Sequence, residues 1–287
     1  LDIVVLQIRL RLAQVPREPS GTQDRPGDRK VEALLGRDDA DQADRFQQFI
    51  ETHRHAGGDI TALVHDFLWR QLSIGCAGQV DAQVSASVAA LSDYRFRGIS
   101  QSDNNPALQA TLAFDHATGL FASAFASTVD FGSGSDANVE TVLAAGYAAR
   151  LHPDLSWEAG IVYYRYPGSR AERETDYAEG FAGVTWRNVN VRFYVTPHYF
   201  GGGRSALYAE LNAKFALSER VAVTAHAGFA RITGLYNRID VSTSILIDLR
   251  HATLELAAVA TDIPTAECPL GTKACRPGVV AVLSRSF

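Results

Sequence analysis

The stretch LYAELNAKF, residues 207–215, alternates without a break. Leu207, Ala209, Leu211, Ala213 and Phe215 fall on one side of an extended chain, and Tyr208, Glu210, Asn212 and Lys214 on the other. Strand side chains point to opposite faces with a period of two, so this segment reads as a strand with one apolar and one polar face. The same period runs on in both directions. Alternating segments are read at about 84–97, 106–116, 120–131, 138–149, 156–166, 175–186, 189–197, 205–217, 220–231, 239–249, 252–261 and 278–287.

The joins between these segments alternate too. After every odd-numbered segment the join is long and polar or glycine-rich: GISQSDNN, GSGSDA, PGSRAERE, HYFGGGR, ITGLYNR and DIPTAECPLGTKACRPG. After the even-numbered ones it is mostly short: ATG, RLHPDL, RN, SE, RH. Long loops at one end and tight turns at the other are the pattern of an up-and-down antiparallel barrel in a bacterial outer membrane. A soluble sandwich has no reason to segregate its loops in this way. The chain ends in VVAVLSRSF, an alternating segment with a terminal aromatic, which resembles the recognition signal of such barrels. The expected fold is therefore all-β, a transmembrane β-barrel of about 12 strands.

Composition fits this reading. The 287 residues carry a formal charge of -5, so no global basic field draws the protein to nucleic acid. No apolar run is long enough for a membrane helix, which leaves spanning strands untouched because they need only about 9–11 alternating residues.

Residues 1–80 differ from the rest. LDIVVLQIRLRLAQV alternates, PREPSGTQDRPGDRK reads as linker, and residues 38–52 and 59–72 have a helical period. Two domains are expected: an extension over 1–80, helical or disordered, and a barrel over 81–287. The chain begins at Leu1 and has no Met, so the extension is either an appendage or upstream sequence outside the mature protein. A signal-peptide core within residues 59–82 is interrupted by His65, Asp66 and Arg70, and Cys76 only faintly suggests a lipidated cysteine.

Four stretches resemble a known family: SDYRFRGISQSDNNPAL (92–108), YYRYPG (163–168), DYAEGFAGVTW (176–186) and VTPHYFGGG (195–203). Their order and spacing are similar to those of the proteobacterial "Gcw" conserved hypothetical proteins. The resemblance implies an outer-membrane β-barrel without established activity, and carries no catalytic residue with it.

With the apolar faces turned to lipid, Asp93, Arg95, Arg97, Glu140, Glu158, Tyr164, Glu179, Arg192, Glu210 and Lys214 are expected to line the lumen, with Tyr166, Tyr194, Asp240 and Glu255 beside them. Charges of both signs on facing walls either cross-link the interior as a plug or line a narrow, selective path. Tyr94, Phe96, Trp157, Tyr163, Tyr199, Phe200, Tyr236 and Phe287 lie near segment ends and are expected in the interfacial aromatic girdles. In particular, Tyr94 and Phe96 are placed outward at the rim, with GISQSDNNP as the first external loop. Cys268 and Cys275, close in the longest outer loop, are expected to form a disulfide in an oxidising compartment.

The expected role is a narrow pore, or a solute-binding or structural envelope protein. Its expected partners are outer-membrane lipid and small solutes, with no cofactor, metal site or nucleic acid. A surface-interaction barrel is the alternative. A rim lipid hydrolase built on His198 and Ser205 is a weaker one, since no nucleophile motif surrounds them.

Overall fold

The computed structural model describes residues 82–132, 136–168, 175–235, 237–270 and 273–287, so the expectations for 1–80 and for Tyr236 lie outside the described residues. In chain order the strands are β1 (Ala82–Leu91), β2 (Arg95–Phe96), β3 (Ile99–Ser100), β4 (Ala107–His116), β5 (Leu120–Thr128), β6 (Val139–His152) and β7 (Leu155–Arg165). They continue as β8 (Tyr177–Trp186), β9 (Val189–Thr196), β10 (Ala206–Ala216), β11 (Val221–Ile232), β12 (Arg238–Asp248), β13 (Thr253–Thr261) and β14 (Gly278–Ser286).

Twelve of these strands form a closed barrel in which sequence neighbours pair from β4 to β14, and β1 joins β4 to β14. Every pairing is antiparallel. In β1, Ala90 lies opposite Leu108 on one side and Leu283 on the other, which closes the wall. Closure removes every free sheet edge, so the backbone donors and acceptors of the wall are satisfied strand to strand.

The distribution of side chains inverts that of a soluble protein. Every barrel strand exposes at least one large apolar side chain, among them Val84, Leu143, Ile161, Phe193, Phe215 and Leu283. Seven charged residues of the barrel strands are buried inside, Glu140, Glu158, Glu179, Arg192, Glu210, Asp240 and Glu255, while exposed charges such as Arg150, Arg165, Asp248 and Arg285 lie toward strand ends. On β10 the inner row is Tyr208, Glu210, Asn212 and Lys214 and the outer row includes Leu207, Leu211 and Phe215, as the sequence alternation requires.

One segment departs from the expected pattern. The alternation in the sequence runs from 84 to 97, but β1 stops at Leu91. Residues 93–102 then turn into the barrel, and only Asp103 to Pro106 of the expected external loop are exposed. Tyr94 and Phe96, expected at the lipid boundary, are buried in the core, and so are Ile99, Ser100, Gln101 and Ser102. The cause is local turn chemistry. The Asp93 carboxylate accepts bonds from Ser100 Oγ at 2.6 Å and Ser102 Oγ at 3.2 Å and pairs with Arg95, which folds the segment on itself. β2 and β3 form a hairpin in which Phe96 faces Ile99 across the two-residue turn Arg97–Gly98. Arg97 has φ 48° and Gly98 φ 80°, the left-handed pair that a tight hairpin turn demands and that glycine readily takes.

Candidate functional site

The hairpin crosses the lumen. Tyr94 packs against Phe125 of β5 (6.2 Å between ring centroids) and Phe96 against Tyr164 of β7 (5.7 Å). At the tip, a Cβ on Gly98 would stand 2.9 Å from the Cβ atoms of both Asp240 on β12 and Thr261 on β13. One short segment thus touches walls on opposite sides of the barrel. Around it sits a buried aromatic cluster that includes Tyr164, Tyr166, Tyr177, Phe181, Tyr194 and Tyr208, all from the wall or the strand ends.

Three layers of charge are held among these rings. In the first, Glu140 accepts bonds from the Tyr94 hydroxyl at 2.8 Å and the Tyr166 hydroxyl at 2.9 Å. In the second, Glu179 receives both terminal nitrogens of Arg97, at 3.0 and 2.6 Å, and the Tyr164 hydroxyl at 3.3 Å. This two-pronged pair is nearly sealed from water, with side-chain exposures of 7% for Arg97 and 1% for Glu179. The Arg97 guanidinium also lies 4.0 Å from the Tyr208 ring centre, 4.8 Å from Phe96 and 5.3 Å from Tyr194.

The third layer belongs to the wall alone. Arg192 donates through Nε to Glu158 at 3.1 Å and through Nη1 to the Tyr194 hydroxyl at 2.9 Å, and its Nη1 stands 3.8 Å from Glu210. Further along, Asp240 meets His226 Nε2 at 2.8 Å and accepts from the Tyr208 hydroxyl at 3.2 Å, while His226 Nδ1 is 2.8 Å from Asn212 Oδ1. The charges among these groups sit in one row of cross-strand neighbours: Glu158 lies opposite Gly183, Gly183 opposite Arg192, Arg192 opposite Glu210, Glu210 opposite Gly228 and Gly228 opposite Asp240. The glycines leave the charges room to meet. A Cβ on Gly228 would fall 2.1 Å from the Tyr208 hydroxyl and 2.4 Å from Asp240 Oδ2.

An outer lid holds the hairpin in place. Cys268 and Cys275 are joined in a disulfide with Cα atoms 5.8 Å apart. The loop they close packs Ala274 and Cys275 on Ile99. Arg95 Nη1 donates to the carbonyls of Ala274 (3.0 Å) and Arg276 (2.9 Å), and the Ser100 N–H donates to Ala274 O at 2.8 Å.

Among residues between strands, burial alone would lower the Arg97 pKa, but Glu179 and neighbouring phenols more than reverse this and leave it well above its ordinary value. Burial pushes the Tyr199 phenol up, partly opposed by the Arg97 charge.

Of the residues expected in the lumen, Asp93, Arg95, Arg97, Glu140, Glu158, Tyr164, Glu179, Arg192 and Glu210 are all brought into these layers and their hairpin. Lys214 faces inward but stands apart, half-buried toward the short-turn end, within electrostatic reach of Glu255. Asn212 lies on the polar face that the alternation of 207–215 assigns to it, and His226 lies on the polar face of the next strand without any motif that marks it.

The girdle expectation divides. Tyr163 and Phe287 are exposed and Trp157 is half-buried beside the exposed Tyr147. Tyr199 and Phe200 instead pack inward on Tyr177, at 5.4 and 5.0 Å between ring centroids, and join Tyr94 and Phe96 in the interior. Ser205 Oγ is 2.7 Å from Thr233 Oγ1, and the His198 backbone N–H donates to Thr196 Oγ1.

Residues 76–259, more than half of the chain, match a bacterial family of proteins of unknown function, Gcw_chp. The chain belongs to this family. No curated protein matches it. Among solved structures, this Gcw_chp member is similar to the KdgM porin, with a TM-score of 0.46 and 9% identity over 71% of this chain and 98% of that one. The NanC porin gives 0.46 and 9% over 71% and 99% of the two chains. An outer membrane channel from Pseudomonas putida F1 gives 0.39 and 10% over 74% and 97%.

Proposed function

We propose that this Gcw_chp protein is an integral outer-membrane barrel of a Gram-negative bacterium that forms a narrow passage for small polar solutes, closed in its outer half by the hairpin of residues 93–102. The observation that carries this reading is the inversion of the barrel: apolar side chains outside on every barrel strand, charges and hydroxyls inside. An exposed apolar belt of this kind is stable against lipid and unstable against water. A polar lumen is useful to a solute, and the element that fills its outer half is a short segment anchored by side chains rather than the wall itself.

A second reading is a permanently braced structural barrel. It is favoured by the bonds from Arg95 to Ala274 and Arg276, which tie the hairpin to the disulfide loop. Liposome swelling separates the two. Proteoliposomes with residues 94–101 replaced by a short Gly-Ser connector should admit small sugars and amino acids faster than those with the unaltered chain. Equal, negligible swelling for both folded proteins would leave the structural reading standing. Membrane insertion itself is checked by heat-modifiable gel migration and by recovery in the outer-membrane fraction; a detergent-free soluble monomer would contradict it.

A further inference from the structure

The buried charges on the barrel strands are unbalanced. Among the described residues, six buried carboxylates, Glu140, Glu158, Glu179, Glu210, Asp240 and Glu255, share these strands with one buried cation, Arg192, and with Lys214 and Arg238, which are only half-buried. The hairpin brings in Arg97, and its guanidinium occupies a site whose chemistry is otherwise complete on the wall. Glu179 offers two oxygens at 3.0 and 2.6 Å, and Tyr208 and Tyr194 offer ring faces at 4.0 and 5.3 Å. A carboxylate that takes a planar cation through two parallel bonds, with aromatic rings over its face, is a guanidinium site on both counts.

We propose that this pocket, formed by Glu179, Tyr164, Tyr194 and Tyr208, binds a cationic solute bearing a guanidinium or amine, and that Arg97 is its tethered occupant. The proposal rests on the reading of the barrel as a passage and names the class of solute that it admits. When the hairpin leaves, Glu179 keeps the 3.3 Å bond from Tyr164 and loses its counter-charge. A buried carboxylate stripped of its partner is strongly unfavourable, so release is resisted until another cation takes the place. A cationic solute binds the released state and not the closed one, which is the differential affinity that a ligand needs to shift a conformational equilibrium. An anion or neutral solute gains nothing there. The turn contributes as well: Arg97 holds φ 48°, a conformation that non-glycine residues rarely take, so its seating depends on the pocket.

The test uses the full chain in detergent and ethylguanidinium chloride as probe, with NaCl at equal ionic strength as reference. In folded Arg97→Ala, ethylguanidinium should raise the unfolding temperature by about 3 °C over NaCl at roughly tenfold excess over its dissociation constant. The shift should vanish when Glu179→Gln is added. No shift in folded Arg97→Ala overturns the proposal, and it does so without touching the passage, which swelling of the hairpin-shortened barrel tests separately. Should Arg97→Ala fail to fold, a second measurement keeps Arg97. In a Cys76→Ser background, maleimide labelling of Gln101→Cys should be at least about threefold faster in ethylguanidinium than in NaCl, as the probe displaces the hairpin. Equal rates would overturn the proposal.

Discussion

Arg192 and Arg187 show how differently one residue type is used in this protein. Arg187 meets Asp154 at 3.2 Å with both side chains about half-exposed or more, where water screens the pair. Its replacement by Ala should change stability by less than about 1 kcal/mol. Arg192 has no exposure and holds Glu158 and Glu210 together in the lumen. Arg192→Ala removes the cation that Glu158 and Glu210 share and should cost about 3–5 kcal/mol, read as a fall in unfolding midpoint by gel mobility in detergent. A cost for Arg192 as small as for Arg187 would mean that the interior is hydrated. Gly228→Ala belongs to the same scale. Its methyl collides with the Tyr208 hydroxyl and Asp240, and should destabilise by about 1–3 kcal/mol, with the pairing of His226 and Asp240 the first to break. Most of these charges were legible as lumen residues, because alternation assigns faces. Their pairing was not, since Glu158 and Arg192 lie 34 residues apart and only the register of β7, β8 and β9 brings them together.

The element that matters most is the hairpin, and it is the element the sequence conceals. Through residues 92–97 the two-residue period continues, so Tyr94 and Phe96 read as a continuation of the outer face of β1. Two things override the pattern. Asp93, Ser100 and Ser102 supply an internal turn, and Glu140 and Glu179, far off in the chain, supply partners for Tyr94 and Arg97. Nothing in the local alternation carries information about those partners. The same holds for Tyr199 and Phe200, whose position at a segment end suggests a girdle while Tyr177 and Tyr166 draw them inward. The alternation of long and short joins, by contrast, survives intact, because it depends only on topology. The disulfide loop acts on the hairpin as a lid. Replacing both Cys268 and Cys275 by Ser, in the Cys76→Ser background, removes a constraint worth about 2–3 kcal/mol on a loop of this size. It should loosen the grip of Ala274 and Arg276 on Arg95, so that a cysteine at Gln101 is labelled faster with the barrel still heat-modifiable. Unchanged labelling would show that the hairpin is held by the wall alone.

For the molecule as a whole, the closed wall, the apolar exterior and the acidic interior describe a membrane barrel whose lumen is filled by its own first loop. On the proposed reading of the barrel as a passage, the acid excess of the wall favours cations over polyanions once the hairpin is out. Single-channel recording in planar bilayers tests this most directly. The unaltered protein should be almost silent, and the protein with residues 94–101 replaced by a Gly-Ser connector should show steady conductance, with a reversal potential in a KCl gradient that marks cations as the preferred ions. Silence from both folded proteins, or the same conductance from both, would contradict the account.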